Sequence, residues 1–203
     1  MKDSVKQIMA NTCSAWQMAV RELKIIETTL DGVLIIEPTV FGDHRGFFKE
    51  TFNTQLYHES GLVLNFVQDN HSRSMRGVLR GLHLQKTRQQ GKLVRCSFGA
   101  VFDVVVDVKP ESSTFGQHVG VELNDTNHRQ LWVPPGYAHG FCVLSSVADF
   151  EYKCTDFYFP DDEGGVIWND PDIGIKWPID TPSLSKKDMK LPTLRDIENG
   201  NAL

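Results

Sequence analysis

A single all-β domain, a two-sheet sandwich or jelly-roll barrel, is the fold class this 203-residue sequence predicts. Three observations predict it. Short apolar runs separated by Gly, Pro, Asn and Asp recur from Val33 to Trp168; several alternate with period two; and helical periodicity is almost absent. In chain order, residues 33–37, 46–52, 62–68, 79–85, 93–98, 101–108, 117–123, 130–133, 141–144 and 149–155 read as strands. About ten short strands suit a sandwich or a jelly-roll barrel. In 101–108, Phe102, Val104, Val106 and Val108 share one face, and Asp103 and Asp107 lie on the other. Val119, Val121 and Leu123 alternate in the same way with His118, Gly120 and Glu122. Residues 53–60, closed by Gly61, read as a helix, and a second short helix is expected near Ser185. The chain beyond Arg195 is rich in Asn and Gly and is expected to fray.

Composition narrows the class of partners. Hydrophobic residues make up 40% and charged residues 23% of the chain, which excludes a disordered polymer. No stretch approaches the apolar length of a membrane span, and Asn11, Thr12, Ser14 and Gln17 interrupt the apolar character of the first residues, against a signal peptide. The formal charge of -5 gives no general attraction to nucleic acid or anionic lipid, so an anionic ligand needs a local cluster of cations. Cys13, Cys96, Cys142 and Cys154 are scattered, without zinc-site spacing, as small core residues of a reducing, cytoplasmic compartment would be.

Several residues could carry chemistry. His83 sits mid-strand in LRGLHLQ with Leu79, Gly81 and Gln85 on its parity, and Gly81 leaves space nearby. An imidazole there is either a general base or a hydrogen-bonded core group. His139 follows a Pro-Gly turn in VPPGYAHGF. Two histidines on separate strands of a β-barrel suggest a metal-binding cupin, but Leu84 and Gln85 stand where a His-x-His site would need ligands. Two nitrogens fall short of the three protein ligands of an open catalytic site, so no metal is expected. Tyr152 falls inward with Phe150 and Cys154, as a core phenol or as an acid. Gln68 and Asn70 share an inward parity with Phe66, and buried amides call for a polar partner. In Ser185-Lys186-Lys187-Asp188 the spacing alone favours a capping box.

Taken in order, FGDHRGFFKE (41–50), FVQDNHS (66–72), LRGLH (79–83), GKLVR (91–95) and PGYAHGF (135–141) closely resemble the dTDP-4-dehydrorhamnose 3,5-epimerase family. The likeness runs over residues 23–191, leaving residues 1–22 as an extension and 192–203 as a tail. The resemblance implies a cupin-type jelly roll that is homodimeric and works without a metal. It implies His83 as general base, Asp188 as the carboxylate that orients it, Tyr152 as general acid and Lys92 as the cation beside the sugar's carbonyl oxygen. It also implies contacts to the dTDP-sugar from Arg45, Glu50, Gln68, Asn70, Arg80, His139, Glu163 and Lys187, with Tyr158 stacking on thymine. Arg80 has the opposite strand parity to His83, so either a bulge re-aims one of them or Arg80 serves a neighbouring subunit.

The implied chemistry is coherent. A ketone at the fourth sugar carbon acidifies the protons on both neighbouring carbons, so one base can serve two stereocentres. The enolate formed needs a preorganised cation, and inversion needs a proton from the opposite face. No cofactor is required, and no glycine fingerprint for a hydride carrier is present. Two alternatives stand beside this reading. One is a relative that inverts a single carbon or isomerises the keto group. The other is a non-catalytic sugar-nucleotide-binding cupin, for which an acid and a base together would have no use.

Overall fold

The structure, a computed structural model, describes residues 21–200. The extension expected at residues 1–22 therefore lies almost wholly outside the described residues. The described residues form thirteen strands: β1 (Leu23–Glu27), β2 (Leu34–Pro38), β3 (Val40–Asp43), β4 (Gly46–Lys49), β5 (Gln68–Met75), β6 (Leu79–Gln85), β7 (Lys92–Phe98), β8 (Ala100–Asp107), β9 (His118–Asn124), β10 (Gln130–Val133), β11 (Tyr137–Val143), β12 (Val147–Cys154) and β13 (Glu163–Gly165). Helix α1 spans Thr54–Glu59 and α2 spans Leu194–Glu198. A six-stranded sheet, β1-β2-β10-β7-β12-β5, faces a five-stranded sheet, β13-β6-β11-β8-β9, and β3–β4 is a separate hairpin. This is the expected cupin-type jelly-roll sandwich.

Apolar residues fill three layers. Between the sheets lie Val94 and Cys96 of β7, Val101 and Val105 of β8, Phe141 of β11 and Phe150 of β12. Outside the five-stranded sheet, Leu82, Leu84, Val104, Val106 and Ala138 are covered by Val166, Ile173, Leu194 and Ile197. Outside the six-stranded sheet, Ile36, Leu93 and Trp132 are covered by Tyr57 of α1 and by Leu64. Strand β8 is thus buried on both faces, and its apolar face Phe102–Val104–Val106 points away from the interior, beneath the C-terminal segment. Asp103 and Asp107 point inward and are fully buried. Buried carboxylates require partners. Asp107 has Ser112, Thr114 and the Lys109 main chain, and Asp103 has His139.

Besides adding β1, β3 and β13, which the sequence-based reading did not contain, the structure departs from it as follows. Residues 62–67 form no strand, because their alternation reflects Leu64 and Phe66 packing onto the outer sheet face as an irregular covering segment. The strand there is β5, whose inward residues Gln68, Asn70, Ser72 and Ser74 are all polar, so hydrophobic periodicity does not mark it. Of the stretch expected to fray beyond Arg195, residues 196–198 continue α2, held by a Thr193–Asp196 capping box and by burial of Leu194 and Ile197, and residues 201–203 lie outside the described residues. The short helix near Ser185 is a 3-10 turn at Asp188–Lys190.

Candidate active site

Toward β5, β6 and β12 the interior is lined by polar groups, and the space between the sheets is a cleft of two lobes. One lobe, about 450 Å³, is lined by Arg80, His83, Lys92, His139, Tyr152 and Asp188, among others. The adjoining lobe, about 350 Å³, is lined by Gln68, Asn70, Tyr158 and Glu163 and again by His83, Lys92 and Tyr152. Those last three therefore stand at the junction. They come from opposing walls: His83 from β6 in the five-stranded sheet, Lys92 from β7 and Tyr152 from β12 in the six-stranded sheet.

His83 Nε2 lies 2.6 Å from Asp188 Oδ1, across 105 residues of sequence. The other carboxylate oxygen of Asp188 accepts a hydrogen bond from Ser185 Oγ at 2.8 Å, and the Asp188 N–H donates to Ser185 Oγ at 3.1 Å. The capping interaction and the His–Asp pair therefore coexist, one on each oxygen. Burial pushes the Asp188 carboxyl up, but hydrogen bonds from His83 and Ser185 outweigh it and hold Asp188 below the usual carboxylate value. Asp188 is thus a buried anion whose hydrogen bond fixes the imidazole's orientation.

Lys92 faces the cleft from β7 and, among the described residues, has no ion pair or side-chain hydrogen bond. Desolvation pulls its pKa down, against the opposing pull of Cys154, Glu163 and Asp103. An ammonium held this way is poised for an anion developing on a ligand. Tyr152 is likewise without a hydrogen-bond partner for its hydroxyl among the described residues, and it lines both lobes. Burial raises its pKa, which keeps the phenol protonated. A core tyrosine would have its hydroxyl satisfied, whereas this one is presented to open space.

The opposite parity of Arg80 is resolved by a register shift. His139 pairs with His83, but Phe141 pairs with Arg80, so β6 carries one residue more than β11 over this stretch. The bulge sits at Gly81, which has φ of 134°, and a side chain there would meet Gly140 Cα at 2.6 Å. Gly81 therefore does not leave open space for a ligand; it permits close approach of two backbones and turns Arg80 into the same lobe as His83. Arg80 Nε donates to Ser74 Oγ at 3.0 Å.

The remaining sequence-predicted residues divide into two groups. His139 lies in the cleft wall with Nε2 at 2.9 Å from Asp103 Oδ1. Glu163 is shared: Lys187 forms an ion pair with it, and the Tyr158 hydroxyl donates to it, which pushes the Tyr158 phenol up to about 12. Gln68 Oε1 accepts from the Tyr158 N–H at 3.0 Å, and Gln68 Nε2 donates to Asn70 Oδ1 at 3.0 Å. Arg45 and Glu50 are not brought to the cleft of their own chain. Arg45 pairs with Asp43 at the turn of the β3–β4 hairpin, and Glu50 pairs with Arg21 beside α1. Phe47 of the same hairpin is 58% exposed.

Three positions in the site were not singled out from the sequence. Asp103 is hidden from parity, which sets it opposite the apolar Phe102–Val104–Val106 face; only the covering of that face by the C-terminal segment turns Asp103 inward against His139. Ser185 was visible only as a cap. Gln85 appeared only as a non-ligand, although its side chain holds the segment that carries Tyr158. No group of three His, Cys, Asp or Glu side chains among the described residues is disposed to hold a metal ion, and both histidine Nε2 atoms are engaged by aspartates.

A family model described as dTDP-4-dehydrorhamnose 3,5-epimerase matches residues 27–196. The Salmonella typhimurium dTDP-4-dehydrorhamnose 3,5-epimerase is 56% identical over 84% of this chain and 94% of its own. A crystal structure of the Legionella pneumophila dTDP-6-deoxy-D-glucose-3,5-epimerase in complex with dTDP-4-keto-L-rhamnose superposes with a TM-score of 0.85, at 50% identity, covering 89% of this chain and 97% of its own. A dTDP-4-dehydrorhamnose 3-epimerase from Streptomyces niveus is 38% identical over 86% of this chain and 85% of its own. With its sandwich and its cleft accounted for, this chain belongs to the dTDP-4-dehydrorhamnose 3,5-epimerase family.

Proposed function

We propose that the chain epimerises dTDP-4-dehydro-6-deoxy-D-glucose at the two carbons flanking its ketone, giving dTDP-4-dehydro-L-rhamnose for L-rhamnose biosynthesis. The observation that carries the reading is the junction of the two lobes, where His83 on one sheet faces Tyr152 and Lys92 on the other. His83 takes the proton from the carbon next to the ketone, and Asp188 stabilises the imidazolium. Lys92 meets the negative charge that moves onto the carbonyl oxygen. Tyr152 returns a proton from the opposite wall, which inverts the centre. His83 then releases its proton to solvent and Tyr152 regains one from it, and repetition at the second carbon completes the reaction. The lobe containing Tyr158 and Glu163 suits the nucleotide, and the one containing Arg80 and His139 suits the sugar. Proton NMR of the product formed in deuterated water tests this. Deuterium at both flanking carbons with both configurations inverted is expected; inversion at one carbon alone would make the chain a single-site epimerase.

The catalytic step is proposed to need no metal, because the two cleft histidines are tied to aspartates and no group of three His, Cys, Asp or Glu among the described residues is disposed to hold an ion. Dialysis against a strong chelator should leave turnover unchanged. A loss restored by zinc, iron or manganese would refute the proposal.

We also propose a homodimer in which the β3–β4 hairpin reaches the partner's cleft. This would give Arg45 and Glu50 a role that their positions within one chain do not. Sedimentation at micromolar concentration should give about twice 22.9 kDa. A fully active monomer would contradict it. A cytoplasmic location agrees with three buried free thiols, Cys96, Cys142 and Cys154, and no helix of the described residues is long and apolar enough to cross a membrane.

A further inference from the structure

Between the end of β12 at Cys154 and the 3-10 turn at Pro160–Asp162, residues 155–159 belong to no strand, yet they carry Tyr158 to the cleft. Main-chain polar groups outside a ladder need other partners. Here glutamine side chains supply them. Gln85, at the end of β6, is only 4% exposed. Its Nε2 donates to the carbonyls of Arg88 at 2.6 Å and Phe157 at 3.1 Å, while its Oε1 accepts the Phe159 N–H at 2.5 Å. The amide therefore grips the residue before Tyr158 and the residue after it. Gln68 Oε1 accepts the Tyr158 N–H between them.

The grip is separate from the anchors at either end of the segment. Arg88 holds Asp156 through two hydrogen bonds, and Asp162 holds the Thr87 and Arg88 main chain. Those contacts dock the segment on either side of residue 158, and the Tyr158 hydroxyl is held separately by Glu163. Both amide donors of Gln85 are engaged by main-chain carbonyls, so it acts through the backbone and not by reaching the ligand.

We propose that Gln85 is a positioning residue for nucleotide recognition, fixing the plane in which the Tyr158 ring is offered to the base. The proposal rests on the reading of Tyr158 as the base-stacking residue. An apolar side chain at position 85 would leave the Phe157 carbonyl and the Phe159 N–H without their buried partner, and the segment would re-orient to find others. The loss should fall on binding, not on the proton transfers at the lobe junction.

Isothermal titration with dTDP tests this at a temperature where circular dichroism shows each variant fully folded, because a reversibly unfolded fraction would weaken the apparent affinity. Gln85→Met is expected to weaken dTDP at least about tenfold and to raise KM for the sugar nucleotide more than it lowers kcat. Tyr158→Leu is expected to weaken dTDP as well, and adding Gln85→Met to it should cost nothing further. Equal losses in both backgrounds would mean that Gln85 does not act through Tyr158. Unchanged dTDP affinity in Gln85→Met, or a fall in kcat at constant KM, would also overturn the proposal. If Tyr158→Leu alone binds dTDP as the parent does, the stacking reading fails, and the positioning role fails with it. Should Gln85→Met not fold, Gln85→Glu keeps the acceptor for Phe159 and loses the donors, so an intermediate loss is expected; parental affinity would refute the role.

Discussion

His83→Ala should abolish both epimerisation and solvent deuterium uptake. Both outcomes have one cause, since no carbanion forms at either carbon without the base, and no other side chain at the lobe junction can take the proton. Lys92 is pulled down by desolvation, but it faces the carbonyl oxygen in this reading, and Tyr152 is held protonated by burial. Loss of a positioned general base typically costs about 10²–10⁴-fold, so product formation should fall at least that far. The variant removes one partner of a buried carboxylate. Asp188 keeps its hydrogen bonds with Ser185, so the 3-10 turn should stay docked, at a cost of about 1–3 kcal/mol for the unpaired oxygen. His83→Gln separates stability from chemistry: its amide nitrogen extends to the position of the imidazole Nε2 and can still donate to Asp188, but it cannot act as a base, so the variant should fold as the parent and be equally inactive. Deuterium uptake at the parental rate in either variant would place the base elsewhere.

In Tyr152→Phe, deuterium should enter the sugar while its configuration is retained. The substitution removes one hydroxyl that has no hydrogen-bond partner among the described residues, so no buried group is orphaned and thermal stability should hold. His83 still forms the enolate, and Lys92 still stabilises it. With the Tyr152 hydroxyl gone and Lys92 engaged at the carbonyl oxygen, the proton returns from His83 on the face it left. Epimerised product should therefore fall by about 10²–10⁴-fold, the effect of losing a general acid, with exchange much less affected. Proton NMR follows exchange and inversion in one experiment. Epimerisation at the parental rate would make Tyr152 a wall residue and require another donor.

The two expectations depend on strand parity in different ways, and the contrast separates local from tertiary information. Parity along β12 sends Phe150, Tyr152 and Cys154 inward, and the structure agrees, because this strand alternates apolar and charged residues and a one-residue slip would bury Glu151 and Lys153. Parity along β6 breaks at Gly81, because a bulge adds a residue that only the pairing with β11 reveals. Arg80 therefore joins His83 despite the spacing between them.

By itself, the sequence determined the fold class, most strands, the residue types of an acid–base pair and, through linked motifs, the family. These are local properties: period-two alternation, turn residues and short runs of side chains. The tertiary structure alone decided the rest. Polar β5 is a strand because its inward residues line a cleft and not a core, where hydrophobic alternation has no reason to appear. Asp188 reaches His83 across 105 residues while still capping with Ser185, because a carboxylate has two oxygens and spacing reports only the nearer partner. Asp103 is buried against His139 because β8 is covered on both faces, one of them by the C-terminal segment that the sequence suggested would fray. Each of these depends on what packs against a residue from elsewhere in the chain, which local pattern does not encode.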